Sequence, residues 1–183
     1  MIASPYSSNC GSVVYAANLQ RCMPGSQASL ELPAPDSETE GALYSSNLGC
    51  DTSDGFSLVS AFGLLACLKT LPIQNFATQR AECEALGGFL ASARSIEKLL
   101  LVQDFTNGVS AWMGLDDQLE EGKLVWHDTG LQLTSSEHGA TFAAGEPSNG
   151  GGVEHCIINN FFTRLNDVSC TMTYPAVCER PMS

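Results

Sequence analysis

The chain has 183 residues, with 8 Lys plus Arg against 20 Asp plus Glu, and a formal net charge of −12. Hydrophobic residues make up 44% of it, which suffices for the core of one ordinary domain and argues against a disordered chain. Nucleic acids and anionic membrane surfaces are bound by clustered Lys and Arg, so the charge argues against both as partners.

Residues 1–49 differ from the rest of the chain. They are rich in Ser, Ala and Pro and have no lasting hydrophobic periodicity, which is typical of a linker or an irregular N-terminal extension. A small appendage closed by a disulfide is the alternative, because Cys10 and Cys22 lie in this segment. The first residues lack the basic and apolar regions of a secretory signal, so we expect the signal peptide of a secreted protein to lie outside this chain.

From residue 50 onward the pattern is that of a globular domain, residues 50–183. The apolar stretch 58–68 is too short to span a bilayer and predicts a buried strand or hairpin. Two amphipathic helices are predicted next, over 75–86 and from an N-cap at Ser95 to about residue 105. Short strands are predicted at 111–115, 124–127, 154–159 and 176–180. This order of elements indicates an α+β fold.

A long segment, residues 129–153, separates the predicted strands. It is full of Gly, Ser and Thr and has no periodicity. A loop of that length inside a compact domain is usually functional or disordered. We therefore look for the site in this loop.

The eight cysteines are even in number and widely spaced. No two are separated by only two to four residues, so the paired knuckles of a structural zinc site are missing. A disulfide framework formed in an oxidising, extracellular environment is the better interpretation. The count alone does not select the pairs, because many pairings of eight cysteines exist.

Oxygen-bearing side chains are grouped near the C-terminus, beside two of the cysteines. Calcium takes about six to eight oxygen ligands from carboxylates, side-chain amides and backbone carbonyls. A cis peptide bond before Pro147 would point residues 146 and 148 in the same direction. The candidate calcium ligands are Glu146, Ser148, Glu154, Asn166 and Asp167.

Six short segments resemble, in order and spacing, the motifs of the C-type lectin-like domain. They are Trp112-Met113-Gly114-Leu115, Glu121-Gly122-Lys123-Leu124-Val125-Trp126, Gly145-Glu146-Pro147-Ser148, Glu154-His155-Cys156, Leu165-Asn166-Asp167 and Val177-Cys178-Glu179-Arg180. The resemblance covers about residues 50–180. It implies the long form of that fold, with an N-terminal hairpin, two helices, short antiparallel strands and a long calcium-binding loop.

The resemblance also implies the disulfide pairs. Cys83 would pair with Cys178, and Cys156 with Cys170. In the long form the N-terminal hairpin carries a further bond, which here is Cys50–Cys67. Cys10 and Cys22 are then left as the fourth pair.

By the same resemblance, Glu146, Ser148, Glu154, Asn166 and Asp167 hold the principal calcium ion and contact the sugar. The ion binds two neighbouring sugar hydroxyls, and the same side chains form hydrogen bonds with them. Glu146 favours mannose, fucose or N-acetylglucosamine, because the Glu-Pro-Asn form of the motif goes with mannose-type sugars. Ser148 departs from that motif, and a hydroxyl is a weaker calcium ligand and offers fewer donors than an amide.

An auxiliary calcium site is half present. Asp117 and Glu121 match ligands of the family, whereas Asn149 and His155 stand where carboxylates are expected. The histidines His127, His138 and His155 are predicted at the surface, and His155 is the one near the site. Trp112 and Trp126 are predicted in the core, because both lie in apolar strand segments.

No catalytic motif is found: the chain has no Gly-x-Ser-x-Gly elbow, no phosphate-binding Gly-Lys-Ser/Thr loop and no His-Glu-x-x-His helix. We therefore expect a secreted lectin, not an enzyme, that uses Ca²⁺ to bind a glycan or glycoprotein. Homo-oligomers would raise the avidity of weak single sites. The alternative is an interaction module of the same fold that binds a protein, ice or a mineral surface, with calcium structural or absent. Ser148 keeps this alternative open.

Overall fold

The structure, a computed structural model, describes residues 13–16, 21–24, 49–160 and 164–182. The chain divides into two units, Met1–Leu48 and Gly49–Ser183. In the first unit, β1 (Val13–Ala16) and β2 (Arg21–Pro24) form an antiparallel pair. The predicted Cys10–Cys22 bond involves side chains outside the described part of the chain. The assignment of residues 1–49 as an extension and of 50–183 as the lectin-like domain stays a prediction.

The second unit has the predicted α+β composition. Its described residues contain three helices, α1 (Phe76–Ala85), α2 (Ile96–Phe105) and α3 (Ser135–Thr141). Its described strands all belong to one sheet. They are β3 (Ser57–Ala61), β4 (Leu64–Asn75), β5 (Phe89–Leu90), β6 (Ala111–Asp116), β7 (Val125–Trp126), β8 (Cys156–Asn160), β9 (Arg164–Val168) and β10 (Thr173–Arg180). Among the described helices, none has the length and apolar character needed to cross a membrane.

The sheet has the strand order β3-β4-β10-β6-β8-β9, with β5 beside β10 and β7 beside β6. Strand β10 is antiparallel to β4 and parallel to β6, where Ala176 lies opposite Trp112. The register of β10 against β4 shifts between Tyr174 and Ala176. The residue between them is Pro175, which has no N–H to donate to the ladder, so the irregularity falls where a ladder bond is missing.

Local caps explain where the helices begin. Asn75 accepts the backbone N–H of Thr78 at 3.0 Å, and Ser95 accepts that of Lys98 at 3.3 Å. The helices α1 and α2 are therefore those that the sequence predicts. The third helix, α3, corrects the expectation of two helices and lies inside the segment predicted as a loop. It begins with a capping box in which Thr134 and Glu137 satisfy each other's backbone N–H groups.

The core lies between the helices and the sheet, and both tryptophans are buried in it, as predicted. The ring of Phe76 on α1 packs edge-on against Trp112 at 5.3 Å between centroids. Gly114 allows β6 to lie close to the end of β5. A Cβ at residue 114 would be 2.2 Å from the carbonyl oxygen of Leu90, the last residue of β5. The close approach is fixed by the hydrogen bond from Gly114 N to Ala91 O at 2.9 Å.

Three disulfides are present among the described residues, and they are three of the pairs that the resemblance implied. Cys50–Cys67 closes the β3–β4 region, and Cys83–Cys178 ties α1 to β10. Cys156–Cys170 joins the start of β8 to the chain just after β9. This last bond holds together the segments that carry Glu154 and Asp167.

Candidate functional site

Asp167 is the buried anchor of the predicted calcium loop. It lies on β9 opposite Ile157 of β8, and only 2% of its surface is exposed. One carboxylate oxygen accepts the backbone N–H of Ser148 at 2.9 Å, and the other accepts that of Asn149 at 2.6 Å. Strand β9 therefore fixes the backbone of the loop at the position of the Glu-Pro-Ser motif.

Further bonds fix the loop on the side of Glu146. The Glu146–Pro147 peptide bond is cis. The Nε2 atom of His138 on α3 lies 2.9 Å from the Glu146 carbonyl oxygen. Ala143 N donates to Leu165 O at 3.1 Å, and Glu146 N donates to Ala143 O at the same distance. The loop is thus tied to α3 and to β9 just before the predicted ligands.

Glu154 is held on the other side of Ser148. Its carboxylate accepts the backbone N–H of Gly150 at 2.6 Å and the Ser148 hydroxyl at 3.4 Å. A Cβ at Gly150 would lie 2.6 Å from Glu154 Oε2, so a larger residue there would require the Glu154 carboxylate to move. Asn149 has a left-handed backbone with φ 45°, and its side-chain oxygen accepts Glu154 N at 3.2 Å.

Asn166 is the remaining predicted ligand. It lies on β9 next to Asp167 and is half-buried. Its side-chain amide donates to its neighbour's carbonyl oxygen at 3.0 Å. That bond fixes the amide nitrogen, so the side-chain oxygen is the atom that can serve as a ligand.

The carboxyl group of Glu146 interacts with that of Asp167. Burial, together with the hydrogen bond and the charge of Asp167, raises the pKa of Glu146, and hydrogen bonds from Ser148 oppose this rise. Glu146 Oε2 is buried and has no hydrogen-bond partner among the described residues. Two neighbouring carboxylates repel each other. A shared proton or a cation between them removes this repulsion.

Ser148 connects two of the predicted ligands, because its hydroxyl donates to Glu154 and its backbone N–H donates to Asp167. The three carboxylates do not converge on one point, since Glu154 is turned toward Gly150. Within the described residues, one group of three His, Cys, Asp or Glu side chains has ligand atoms within 4.8 Å of one another. That group is Asp117, Glu121 and His155.

The structure therefore brings the two auxiliary ligands of the sequence analysis together with His155. His155 Nδ1 lies 3.2 Å from Asp117 Oδ1 and 3.1 Å from Glu121 Oε2. Asn149, the other departure from the family's pattern, is not in this group and bonds to Glu154 N.

His127 is buried, which corrects its prediction as a surface residue. Its side chain is 7% exposed and its Nε2 lies 2.6 Å from Asp116 Oδ2. Burial acts to raise the pKa of Asp116, but hydrogen bonds from His127 and Gln118 outweigh it, and the pKa is lowered. This pair was not predicted from the sequence, although Asp116 ends an apolar strand, where a buried carboxylate needs a partner.

Comparison with known families gives a match over most of the second unit. The family described as the Lectin C-type domain matches residues 73–180. Salivary C-type lectin 1 of Aedes albopictus is 40% identical over 81 residues, which are 41% of this chain and 50% of that protein. C-type lectin 16 of Aedes aegypti is 32% identical over 122 residues, which are 59% of this chain and 77% of that protein. The chain thus spans about half the length of the first of these relatives.

Solved structures share the fold. The carbohydrate-recognition domain of cow CD23, determined in the presence of a GlcNAc2Man3 oligosaccharide, is 26% identical, with a TM-score of 0.57. The match covers 66% of this chain and 93% of that one. The herring type II antifreeze protein is 24% identical, with a TM-score of 0.58, and the match covers 72% of this chain and 99% of that one. The second likeness concerns the fold alone.

Proposed function

The chain belongs to the C-type lectin domain family, whose pattern matches residues 73–180, and from this premise we propose that it binds carbohydrate through a calcium ion. The family consists of binding modules and not of enzymes, in agreement with the expectation from the sequence. The proposed ligands are Glu146, Ser148, Glu154, Asn166 and Asp167.

One observation carries the proposal: the carboxyl group of Glu146 interacts with that of Asp167, and one of its oxygens, Oε2, is buried without a hydrogen-bond partner among the described residues. A buried carboxylate oxygen without a hydrogen bond is costly unless a cation satisfies it. The proposed ligand atoms are all oxygens, from carboxylates, an amide and a hydroxyl. This donor set suits calcium, which takes oxygen ligands, better than a metal that prefers nitrogen or sulfur.

When bound, the ion would supply the positions at which two neighbouring sugar hydroxyls attach. The residues of the chain would orient the sugar around it. The carboxylates of Glu146 and Glu154 would accept hydrogen bonds from the hydroxyls, and the hydroxyl of Ser148 would donate one. Asp167 would serve both as a ligand and as the residue that positions the loop, because each of its oxygens also accepts a backbone N–H group.

Mannose-type sugars are the proposed class, including fucose and N-acetylglucosamine. Glu146 supports this choice through the Glu-Pro-Ser motif, and the cow CD23 domain was determined with an oligosaccharide of the same class. Ser148 supplies a single hydroxyl where the motif has an amide, so we propose a lower affinity than the amide would give.

An extracellular location and a glycan or glycoprotein partner complete the proposal. Three disulfides support the location, because such bonds persist in oxidising compartments. The similar Aedes albopictus protein is named as salivary, which supports secretion. Homo-oligomers are proposed as the means by which weak single sites reach useful avidity.

A glycan array probed with and without calcium tests the proposal. We expect signals on mannose-, fucose- or N-acetylglucosamine-terminated glycans that disappear when a chelator removes calcium. Signals on no glycan would contradict it and would favour the alternative, a module that binds a protein, ice or a mineral surface.

A further inference from the structure

The second unit carries a cluster of metal-binding side chains outside the proposed sugar site. Asp117 follows the end of β6, Glu121 lies in the turn after it, and His155 immediately precedes β8. The imidazole Nδ1 of His155 lies 3.2 Å from Asp117 Oδ1 and 3.1 Å from Glu121 Oε2. One nitrogen and two carboxylate oxygens therefore lie within 4.8 Å of one another.

The spacing of these atoms, which is that of an ion pair, is also compatible with a bound metal ion. In a tetrahedral zinc site with bonds of about 2.0–2.2 Å, neighbouring ligand atoms lie about 3.4 Å apart. The two separations from His155 Nδ1 are within about 0.3 Å of that value. The spacing would also suit other ions, so the type of donor decides between them.

The imidazole decides against calcium. Calcium takes oxygen ligands, whereas an imidazole nitrogen with carboxylates suits zinc and its transition-metal neighbours. In the family's pattern, carboxylates are expected at the positions that Asn149 and His155 occupy in this chain. Asn149 is turned away, since its side-chain oxygen accepts Glu154 N at 3.2 Å and its N–H is bound to Asp167. Too few oxygen donors remain here for a calcium ion.

The cluster is held in place by its surroundings. Asp117 is 6% exposed, and its second oxygen, Oδ2, accepts Gly122 N at 2.9 Å. Asp117 N donates to His155 O at 3.1 Å, which ties the two contributing segments together. Such outer hydrogen bonds orient ligands for a metal. The side chains of His155 and Glu121 are 32% and 53% exposed, so an ion can enter from solvent.

Open space lies beside the cluster. A surface pocket of about 440 Å³ is lined by His155 together with Gln118, Val153, Ser169, Cys170 and Thr171. Three protein ligands leave the fourth position of a tetrahedral ion open, as in zinc sites that bind water or another ligand. The pocket borders this site through His155, one of the three ligands.

We propose that Asp117, Glu121 and His155 form a site for one divalent transition-metal ion of the zinc class. The site replaces the auxiliary calcium ion that the family resemblance implied at Asp117 and Glu121. It does not depend on the sugar site, so the two proposals can fail separately.

Calorimetric titration of the full chain with zinc chloride tests this, with calcium kept in excess. We expect one zinc ion per chain, and we expect His155→Gln to weaken zinc binding about 100-fold or more, since a ligand matters at least as much as its outer partners. Glu120→Gln is the matched control, because Glu120 is an exposed carboxylate of the same turn paired with Lys123. It should leave zinc binding unchanged.

A spectroscopic measurement separates this site from other zinc-binding surfaces. The chain has three histidines, and nitrogen NMR of their rings should show a zinc-induced shift at His155 alone. His127 and His138 are engaged with Asp116 and with the Glu146 carbonyl. The variant His155→Asp should lose the preference for zinc and gain affinity for calcium at this site.

Three results would overturn the proposal: no zinc bound at micromolar concentration, equal binding by His155→Gln, or a shift at His138 in place of His155. Calcium-dependent sugar binding is measured on the same samples and should persist in His155→Gln. If the wild type showed no calcium-dependent sugar binding, that result would count against the proposed function and not against the zinc site.

Discussion

The carboxylate of Asp167 accepts the backbone N–H of Ser148 at 2.9 Å, which fixes the loop that carries the Glu-Pro-Ser motif to strand β9. The same carboxylate interacts with Glu146, its neighbour in the proposed calcium site. A single buried side chain thus holds the backbone of the site and contributes to its charge.

Asp167→Asn should reduce calcium affinity by about 100-fold or more, because the variant removes a negative charge from the ligand set. The free energy of unfolding should fall by about 1–3 kcal/mol, since an amide cannot accept both backbone N–H groups with its one oxygen. Calcium calorimetry and urea unfolding measure the two effects. Asp104→Asn, at an exposed position on α2, is the control and should change neither. Unchanged calcium affinity in Asp167→Asn would remove Asp167 from the site.

Acid should release calcium, because protonation of Glu146 removes a charged ligand from the site. The pKa of Glu146 is raised, chiefly by burial and then by Asp167, so its proton competes with the ion earlier in an acid titration than the proton of a free glutamate. If one proton is displaced, a tenfold increase in calcium should lower the midpoint by about one pH unit. Sugar binding followed across pH at two calcium concentrations measures this. A midpoint that does not move with calcium would contradict the competition.

Ser148→Asn should tighten calcium-dependent sugar binding. Residue 148 is exposed, so a larger side chain has room, and the amide adds a donor that the hydroxyl lacks. One added hydrogen bond of about 0.5–1.5 kcal/mol corresponds to about 2- to 10-fold in affinity. Equilibrium binding to a mannose glycan measures the change. Weaker binding by this variant would mean that Ser148 is the better ligand in this chain.

Asp116→Asn should destabilise the fold by about 1–3 kcal/mol at neutral pH, because it weakens the buried bond to His127. The pKa of Asp116 is lowered from 3.8, so its contribution is complete above that value and is lost as the pH falls through the lowered pKa. Urea unfolding of wild type and variant should therefore differ at pH 7 and converge in strong acid. If wild type and variant differed by the same free energy of unfolding at pH 7 and in strong acid, the charge of Asp116 would not contribute to stability.

The sequence predicted those elements that local chemistry determines. The caps at Asn75 and Ser95 lie within a few residues of the N–H groups they satisfy, so their helices could be recognised from short windows. Helix α3 was missed because its segment is rich in Gly, Ser and Thr and has no apolar stripe. Its capping box, Thr134 with Glu137, was the signal that could have identified it.

Long-range contacts could not be predicted in the same way. The burial of His127 depends on Asp116, which lies on the neighbouring strand of the sheet. Glu154 was expected to join Glu146 and Asp167, but the left-handed backbone of Asn149 presents Gly150 N to its carboxylate. The residues of the site could be named from their motifs, whereas the direction of each side chain depends on the folded loop.

Retention on immobilised mannose tests the central claim most directly. The full chain is applied in calcium and then washed with a chelator, and Glu146→Gln is run beside it. We predict that the wild type is retained in calcium and eluted by the chelator, and that the variant passes through. Retention that survives the chelator, or a wild type that is never retained on mannose, fucose or N-acetylglucosamine, would contradict calcium-dependent sugar binding.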